Sequence, residues 1–233
     1  LTTARAGVSA YDWSPDGSRI AYLPTDSLTR DAEAKVRRRD DPKPFEGDLR
    51  LAHAWVVDVA TKKATKVTSG PFTIRGAPSW SPDGTKLAIL TSPTPLIRDE
   101  RREAWIVTVA TGERERVAPP ASMIAQGTPA WSPDGRTLAF GALVDTWKPN
   151  GDGIAPRSLK NTSLVLYDVA SRNAREVSSA QLDNSVGAPR WSADGRVITF
   201  NVQERVYGSV YAFDVASGRI TPLTREMMVR APS

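Results

Sequence analysis

The 233-residue chain contains no cysteine and a single histidine, His53. The first absence excludes a disulfide framework, thiol catalysis and a cysteine-ligated metal, and it suits a reducing cytoplasm and a periplasm equally. No apolar run approaches the roughly 20 residues that a membrane-spanning helix needs, so no membrane partner is expected. No signal peptide is visible, and the chain opens at Leu1 rather than Met, which points to a natural N-terminus elsewhere. A basic stripe is missing as well. The 31 Lys and Arg against 26 Asp and Glu give a modest net charge of +5, and the one basic run, Arg37-Arg38-Arg39, lies among Asp31, Glu33, Asp40 and Asp41. Such a mixture reads as a solvated, salt-bridged loop, so nucleic acid is not an expected partner. Helical patterning is confined to one short candidate, Asp31 to Arg39.

What the chain has is repetition. Trp13-Ser14-Pro15-Asp16-Gly17 recurs as Trp80-Ser81-Pro82-Asp83-Gly84 and Trp131-Ser132-Pro133-Asp134-Gly135, then with one change as Trp191-Ser192-Ala193-Asp194-Gly195. In each copy Pro presets φ for a tight turn, Asp tolerates the next position, and Gly takes the left-handed one. The apolar runs that follow, such as Lys86 to Leu90 and Thr137 to Phe140, read as strands, so each pentapeptide is a hairpin tip. On this reading the turn depends on Pro and Gly, and the Ser contributes little. Four-fold repetition makes Asp16, Asp83, Asp134 and Asp194 turn formers, since an active site does not occur four times. The repeat tryptophans Trp13, Trp80, Trp131 and Trp191 read as core between units.

A second repeated pattern follows each hairpin: Trp55 to Thr61, Trp105 to Gly112, Val165 to Ser171 and Val210 to Gly218. These β-branched and aromatic runs ending in turn residues predict a third strand, with a short fourth strand behind each. Four strands per unit in four units predicts an all-β fold, a β-propeller of four-stranded antiparallel blades spanning about 8–68, 75–118, 127–178 and 187–224. The expected whole is a larger propeller of about seven or eight blades, of which this is an incomplete part. An open arc of this kind should bare an apolar sheet face at each end. Meander topology puts the first–second and third–fourth turns on one side and the second–third connections on the other. The first set is uniformly short. The second includes Pro24 to Ala52, Ser92 to Glu103 and Leu143 to Thr162, and long connections of this kind are where binding concentrates.

The paired Trp-Ser-Pro-Asp-Gly and Val-Asp-Val-Ala-Thr-Gly patterns resemble two groups. One is the N-terminal propeller of the prolyl oligopeptidase family of serine peptidases, in its acylaminoacyl-peptidase and dipeptidyl-peptidase-like branches. The other is the TolB-type propeller. The segments Asp31 to Val59 and Arg98 to Val107 resemble insertions of the peptidases. That resemblance implies a Ser-Asp-His triad on an α/β-hydrolase domain, with its Ser in a Gly-x-Ser-x-Gly elbow. The chain has no such pentapeptide. The nearest, Gly7-Val8-Ser9-Ala10-Tyr11, lacks the last Gly, and lone His53 just ahead of a strand reads as structural. No catalytic residue is therefore expected here. The implied partners are a hydrolase domain or remaining blades of the same protein, and an oligopeptide substrate.

The resemblance further implies that propeller loops gate access and hold a substrate terminus, a carboxylate taking an α-amine and an arginine a carboxylate. The eligible residues are Glu33, Arg37 and Arg38 on the first long loop and Arg98 and Glu100 on the second. Trp147, outside the repeats on the third, is the tryptophan best placed to meet a ligand or partner domain. Asp145 and Asn150-Gly151-Asp152-Gly153 lack the alternating acids and terminal Glu of a calcium loop, so neither metal nor cofactor is expected. Two other readings stay open: a TolB-type scaffold that binds proteins without chemistry, and a free-standing propeller that binds sugar or peptide.

Overall fold

The computed structural model describes residues 7–24, 51–94, 102–120, 123–144, 161–178, 180–182, 184–204 and 207–224. They form four antiparallel four-stranded sheets and, among the described residues, no helix. Blade 1 runs β1 (Val8–Trp13), β2 (Arg19–Pro24), β3 (Trp55–Asp58), β4 (Ala64–Lys66). Blade 2 runs β5 (Thr73–Trp80), β6 (Lys86–Ser92), β7 (Glu103–Thr108), β8 (Arg114–Val117). Blade 3 runs β9 (Met123–Trp131), β10 (Thr137–Val144), β11 (Ser163–Asp168), β12 (Asn173–Glu176). Blade 4 runs β13 (Arg190–Trp191), β14 (Val197–Glu204), β15 (Tyr207–Asp214), β16 (Ile220–Pro222). Every sheet keeps its strands in chain order. The candidate helix from Asp31 to Arg39 lies outside the described residues.

The hairpin turn is built as its residues dictate, with one correction. Gly17, Gly84, Gly135 and Gly195 have φ of 69°, 67°, 71° and 71°, and each N–H donates to the Ser carbonyl three residues back. The Ser, however, is part of the device. Ser14, Ser81 and Ser132 are buried. In all four copies the hydroxyl donates to the turn Asp Oδ1 at 2.5–2.6 Å. The Ser Oγ in turn accepts the N–H that opens the next strand at 2.9–3.0 Å. Sequence reasoning missed this because a small residue in a turn looks interchangeable until its hydroxyl is seen bridging both arms. A second set of bonds ties the third–fourth turn to the first–second turn, for example Val59 N–H to the Ser18 carbonyl at 2.9 Å and Val169 N–H to the Arg136 carbonyl at 2.9 Å. Both short turns thus share one side of each blade.

Blades pack face to face by a rule that repeats. Each blade has a leading face of large residues that lies on the trailing face of the blade before it. Trp80, Leu87, Ile89 and Val107 pack on Ala21, Leu23, Ala54 and Val56. Trp131, Leu138, Phe140 and Tyr167 pack on Ala88, Leu90, Ala104 and Ile106. Ile198, Phe200, Phe213 and partly buried Trp191 pack on Ala139, Leu164 and Leu166. Large side chains against smaller apolar ones fill the wedge between adjacent sheets. The indoles add a ladder: Trp80, Trp131 and Trp191 Nε1 donate to the carbonyls of Asp12, Ser79 and Ala130 at 3.1, 3.2 and 3.1 Å. Each acceptor is the residue just before the preceding blade's own tryptophan. Arg19 reinforces the first interface, donating to the Gly84 carbonyl at 2.8 Å and lying 5.0 Å over the Trp80 ring.

Trp13 departs from the expectation that all four tryptophans are core. It is 49% exposed, against 5% for Trp80 and 9% for Trp131, because no blade among the described residues lies in front of β1.

Candidate functional site

The innermost strands β5 and β9 carry the same local pattern, Arg75-Gly76-Ala77-Pro78 and Gln126-Gly127-Thr128-Pro129. Gly76 and Gly127 have φ of 71° and 75°, and the pairing registers of β5 with β6 and of β9 with β10 slip there. Only glycine adopts this backbone without strain, so each strand bulges directly after Arg75 and Gln126. Both side chains stand at the end of the blade where the second–third connections emerge, opposite the Trp-Ser-Pro-Asp-Gly turns.

Their partners come from those connections. Arg75 Nε donates to Ser92 Oγ at 2.9 Å and Nη2 to the Thr94 carbonyl at 3.0 Å, fixing the end of β6. Arg102, just before β7, donates from Nη1 to Gln126 Oε1 at 2.7 Å across the interface between blades 2 and 3. Among the described residues, two buried donor atoms, Arg102 Nε and Gln126 Nε2, have no acceptor. An unmet buried donor costs about 1–3 kcal/mol, and two on one pair suit a carbonyl or carboxylate oxygen. Next along the same end, Thr68 Oγ1 accepts the Ala54 N–H at 2.9 Å and lies 3.4 Å from His53 Nδ1. The His53 ring meets Phe72 edge-on at 5.1 Å between centroids. No group of three or more metal-ligating side chains occurs among the described residues.

Glu33, Arg37, Arg38, Arg98, Glu100 and Trp147 all lie outside the described residues. The described rim offers residues that the sequence reading did not single out: Arg75, Arg102 and Gln126. A signal was present. The spacing Gly-x-Pro-x-Trp recurs at Gly76, Gly127 and Gly187, and at the first two the residue before Gly is a rim residue, whereas at the third it is Val186, buried in the core.

At the opposite end, Thr137, Leu166, Asp168, Asn173, Trp191 and Val215 help to line a cleft of about 280 Å³ between blades 3 and 4. Asp168 accepts the N–H and hydroxyl of Ser171 at 2.7 Å each. Those bonds hold its carboxyl below the usual range, as a turn former's would be.

No family model matches the chain. It is 24% identical over 221 residues to an uncharacterized peptidase, YuxL, of Bacillus subtilis, a match covering 85% of this chain and 30% of that protein. Among solved structures, a puromycin-hydrolyzing peptidase of Mycobacterium tuberculosis superposes on 100% of this chain and 31% of its own, with TM-score 0.61 and 16% identity. TolB of Acinetobacter baumannii does so over 94% of this chain and 44% of its own, with TM-score 0.60 and 18% identity. The chain thus matches less than a third of the length of the peptidase relatives. With its four antiparallel four-stranded sheets, it is a β-propeller segment similar to the propellers of prolyl oligopeptidase-family peptidases, with a second likeness to TolB.

Proposed function

We propose that the chain is the non-catalytic propeller part of a prolyl oligopeptidase-like serine peptidase, where it gates and positions oligopeptides for a hydrolase domain outside these residues. The observation that carries this reading is the match to a peptidase along 85% of the chain. On this reading the blades divide at about 8–68, 75–118, 127–178 and 187–224, and the second strands of blades 1, 2 and 3 end, and their third strands begin, on the side that would face the hydrolase. Arg102 and Gln126 support the positioning role, because their unmet donors suit a peptide carbonyl or terminal carboxylate. Glu33, Arg37, Arg38, Arg98, Glu100 and Trp147 belong in sequence to the second–third connections of blades 1, 2 and 3 and are proposed as further substrate contacts.

The test is a reactive fluorophosphonate probe on the natural gene product, read beside its intact mass. Labelling of a species larger than these 233 residues, with none on the 233-residue chain, is the expected result; an unlabelled natural protein overturns the reading. The 233-residue chain by itself should not turn over peptide p-nitroanilides. The likeness to TolB over 94% of the chain favours a second reading, a scaffold that binds proteins without chemistry, and an unlabelled result would turn attention to it.

A further inference from the structure

At the end that carries the Trp-Ser-Pro-Asp-Gly turns, each blade interface has a niche between the residue opening one blade's second strand and the next blade's tryptophan. At the first interface a guanidinium fills it. Arg19, opening β2, lies 5.0 Å over the Trp80 ring and donates to the Gly84 carbonyl at 2.8 Å. It pairs in register with Asp58, whose carboxyl is held below the usual range first by bonds from Thr61 and also by the Arg19 charge. At the second interface Lys86 has the same position in the repeat, and Arg172 reaches back from blade 3 to Glu115, Nε to Oε1 at 2.7 Å. Trp80 and Trp131 are both buried.

The third interface has the same walls with smaller residues between them. Thr137 stands at the position of Arg19 and pairs in register with Asp168. Gly218, closing Asp214-Val215-Ala216-Ser217-Gly218, stands at the position of Arg172 in Asp168-Val169-Ala170-Ser171-Arg172. What these two leave is the cleft of about 280 Å³, with Leu166, Trp191 and Val215 in its apolar lining. Trp191 is only partly buried, although blade 3 packs against it. Both bonds from Ser171 go to Asp168 Oδ1, and Oδ2 accepts none among the described residues. Arg175 also lines the cleft. It faces Leu166 in the β11–β12 register, as Asn173 faces Asp168, so Arg175 and Asp168 are diagonal neighbours on one sheet face, about 7–8 Å apart. In blade 2 the position of Arg175 is held by Glu115, the partner of Arg172. Arg175 itself makes no ion pair among the described residues.

We infer that this cleft binds a small zwitterion of the arginine type. Its guanidinium or ammonium head lies on the Trp191 face beside Asp168, as Arg19 lies on Trp80 beside Asp58, and its carboxylate meets Arg175. The indole face attracts a cation, the Asp168 carboxylate pairs with it, and the Arg175 fork suits a carboxylate. A purely anionic ligand would meet Asp168, and an apolar one would leave both charges unmatched. The volume falls just under the roughly 300–1,000 Å³ of sites for drug-sized ligands, which suits a single amino acid. A free basic amino acid and the C-terminal basic residue of a peptide share this chemistry. The inference rests on the repeat geometry and holds under either functional reading above.

The experiment is calorimetric titration of the natural gene product with L-arginine, which should saturate with Kd below about 1 mM. L-Citrulline, whose ureido head is neutral, and L-argininamide, which lacks the carboxylate, should each bind about fivefold more weakly or worse. Thr137→Arg supplies the guanidinium that Arg19 supplies in blade 1, and should abolish L-arginine binding without lowering the melting point. Asp168→Asn keeps an oxygen for the Ser171 bonds, and should weaken L-arginine about fivefold while leaving L-citrulline unchanged. Gly-Gly-Arg binding as tightly as L-arginine would assign the site to peptide C-termini, and much weaker binding to the free amino acid. Absence of saturable L-arginine binding, equal affinity for L-citrulline, or undiminished binding by either variant overturns the inference.

Discussion

The two ends of the arc are built differently. At the blade 1 end an indole and a phenol stand out from the sheet, over Ile20, Tyr22 and Val57, which are buried. At the blade 4 end the inner strands show Arg190, Thr199 and Asn201, and the apolar contribution shrinks to the outer strands, where Leu223 is 57% exposed. Sequence reasoning expects an apolar face at both ends, since every blade is written from the same template. The difference teaches that the template governs only the leading half of a blade. The trailing half takes small apolar residues where another blade must sit on it, and polar ones are tolerated where none of the described residues does.

The sharpest way to break this comparison is to truncate equivalent tryptophans. Trp131→Ala should cost about 3–5 kcal/mol, as for a large core aromatic that leaves a cavity, while Trp13→Ala in the same 233-residue chain should cost less than about 0.5 kcal/mol. Urea midpoints decide it, and similar losses would mean that Trp13 is covered in solution.

The hairpin glycines come next. Gly84→Val forces a β-branched residue into positive φ beside Arg19, whose Nη2 lies 3.2 Å from the new Cβ, and should cost about 2–3 kcal/mol. Gly17→Val meets the same backbone strain with open space around it, and its loss should be smaller by about 1 kcal/mol. An unchanged melting temperature for Gly84→Val would count against the left-handed turn.

Smaller again is the serine bridge. Ser81→Ala, at a buried hydroxyl, should lose about 1 kcal/mol, and Ser192→Ala, at the more open blade 4, about half that. Reading both by thermal melts compares an interior blade with an end blade through one identical hydrogen-bond set.

The smallest effect is a matter of acid. Asp16, Asp58, Asp83, Asp134, Asp168, Asp194 and Asp214 are all held below the ordinary carboxylate range, chiefly by hydrogen bonds from Ser or Thr within the turns. A lowered folded pKa stabilises above the unfolded value, and that stability is lost as pH falls below about 4 through the folded values. Asp12 runs the other way: burial at the blade 1–2 interface raises it, against bonds from the Trp80 and Trp13 backbone. Its protonation on acidification favours the fold. Stability should therefore decline as pH drops from about 5 to 3, and Asp12→Asn should make the decline slightly steeper. A flat profile would contradict the turn bonds.

Much of the architecture was legible because its cause is local. Pro-Asp-Gly and Ala-Thr-Gly set dihedral angles within four or five residues, so strand ends, the four-unit repeat and the side on which the short turns fall could be read from residue order. The role of Ser14 and its equivalents was illegible, because its hydroxyl bridges an Asp two residues on and an N–H five residues on. The rim was harder still. Arg102 and Gln126 are 24 residues apart and belong to different blades, and nothing in either local stretch announces that two donors will be buried together with no acceptor among the described residues. The charged and aromatic loop residues that the sequence does single out, from Glu33 to Trp147, fall outside the described residues, so the rim pair came from the structure alone.

By itself, then, the sequence determined the blade: dihedral preferences and two-residue alternation act over a few bonds and repeat wherever the motif repeats. Only the tertiary structure decided what each copy of the blade meets. Four nearly identical tryptophans become two buried rungs, one partly buried and one exposed, because burial depends on a neighbour that chain-local chemistry does not specify.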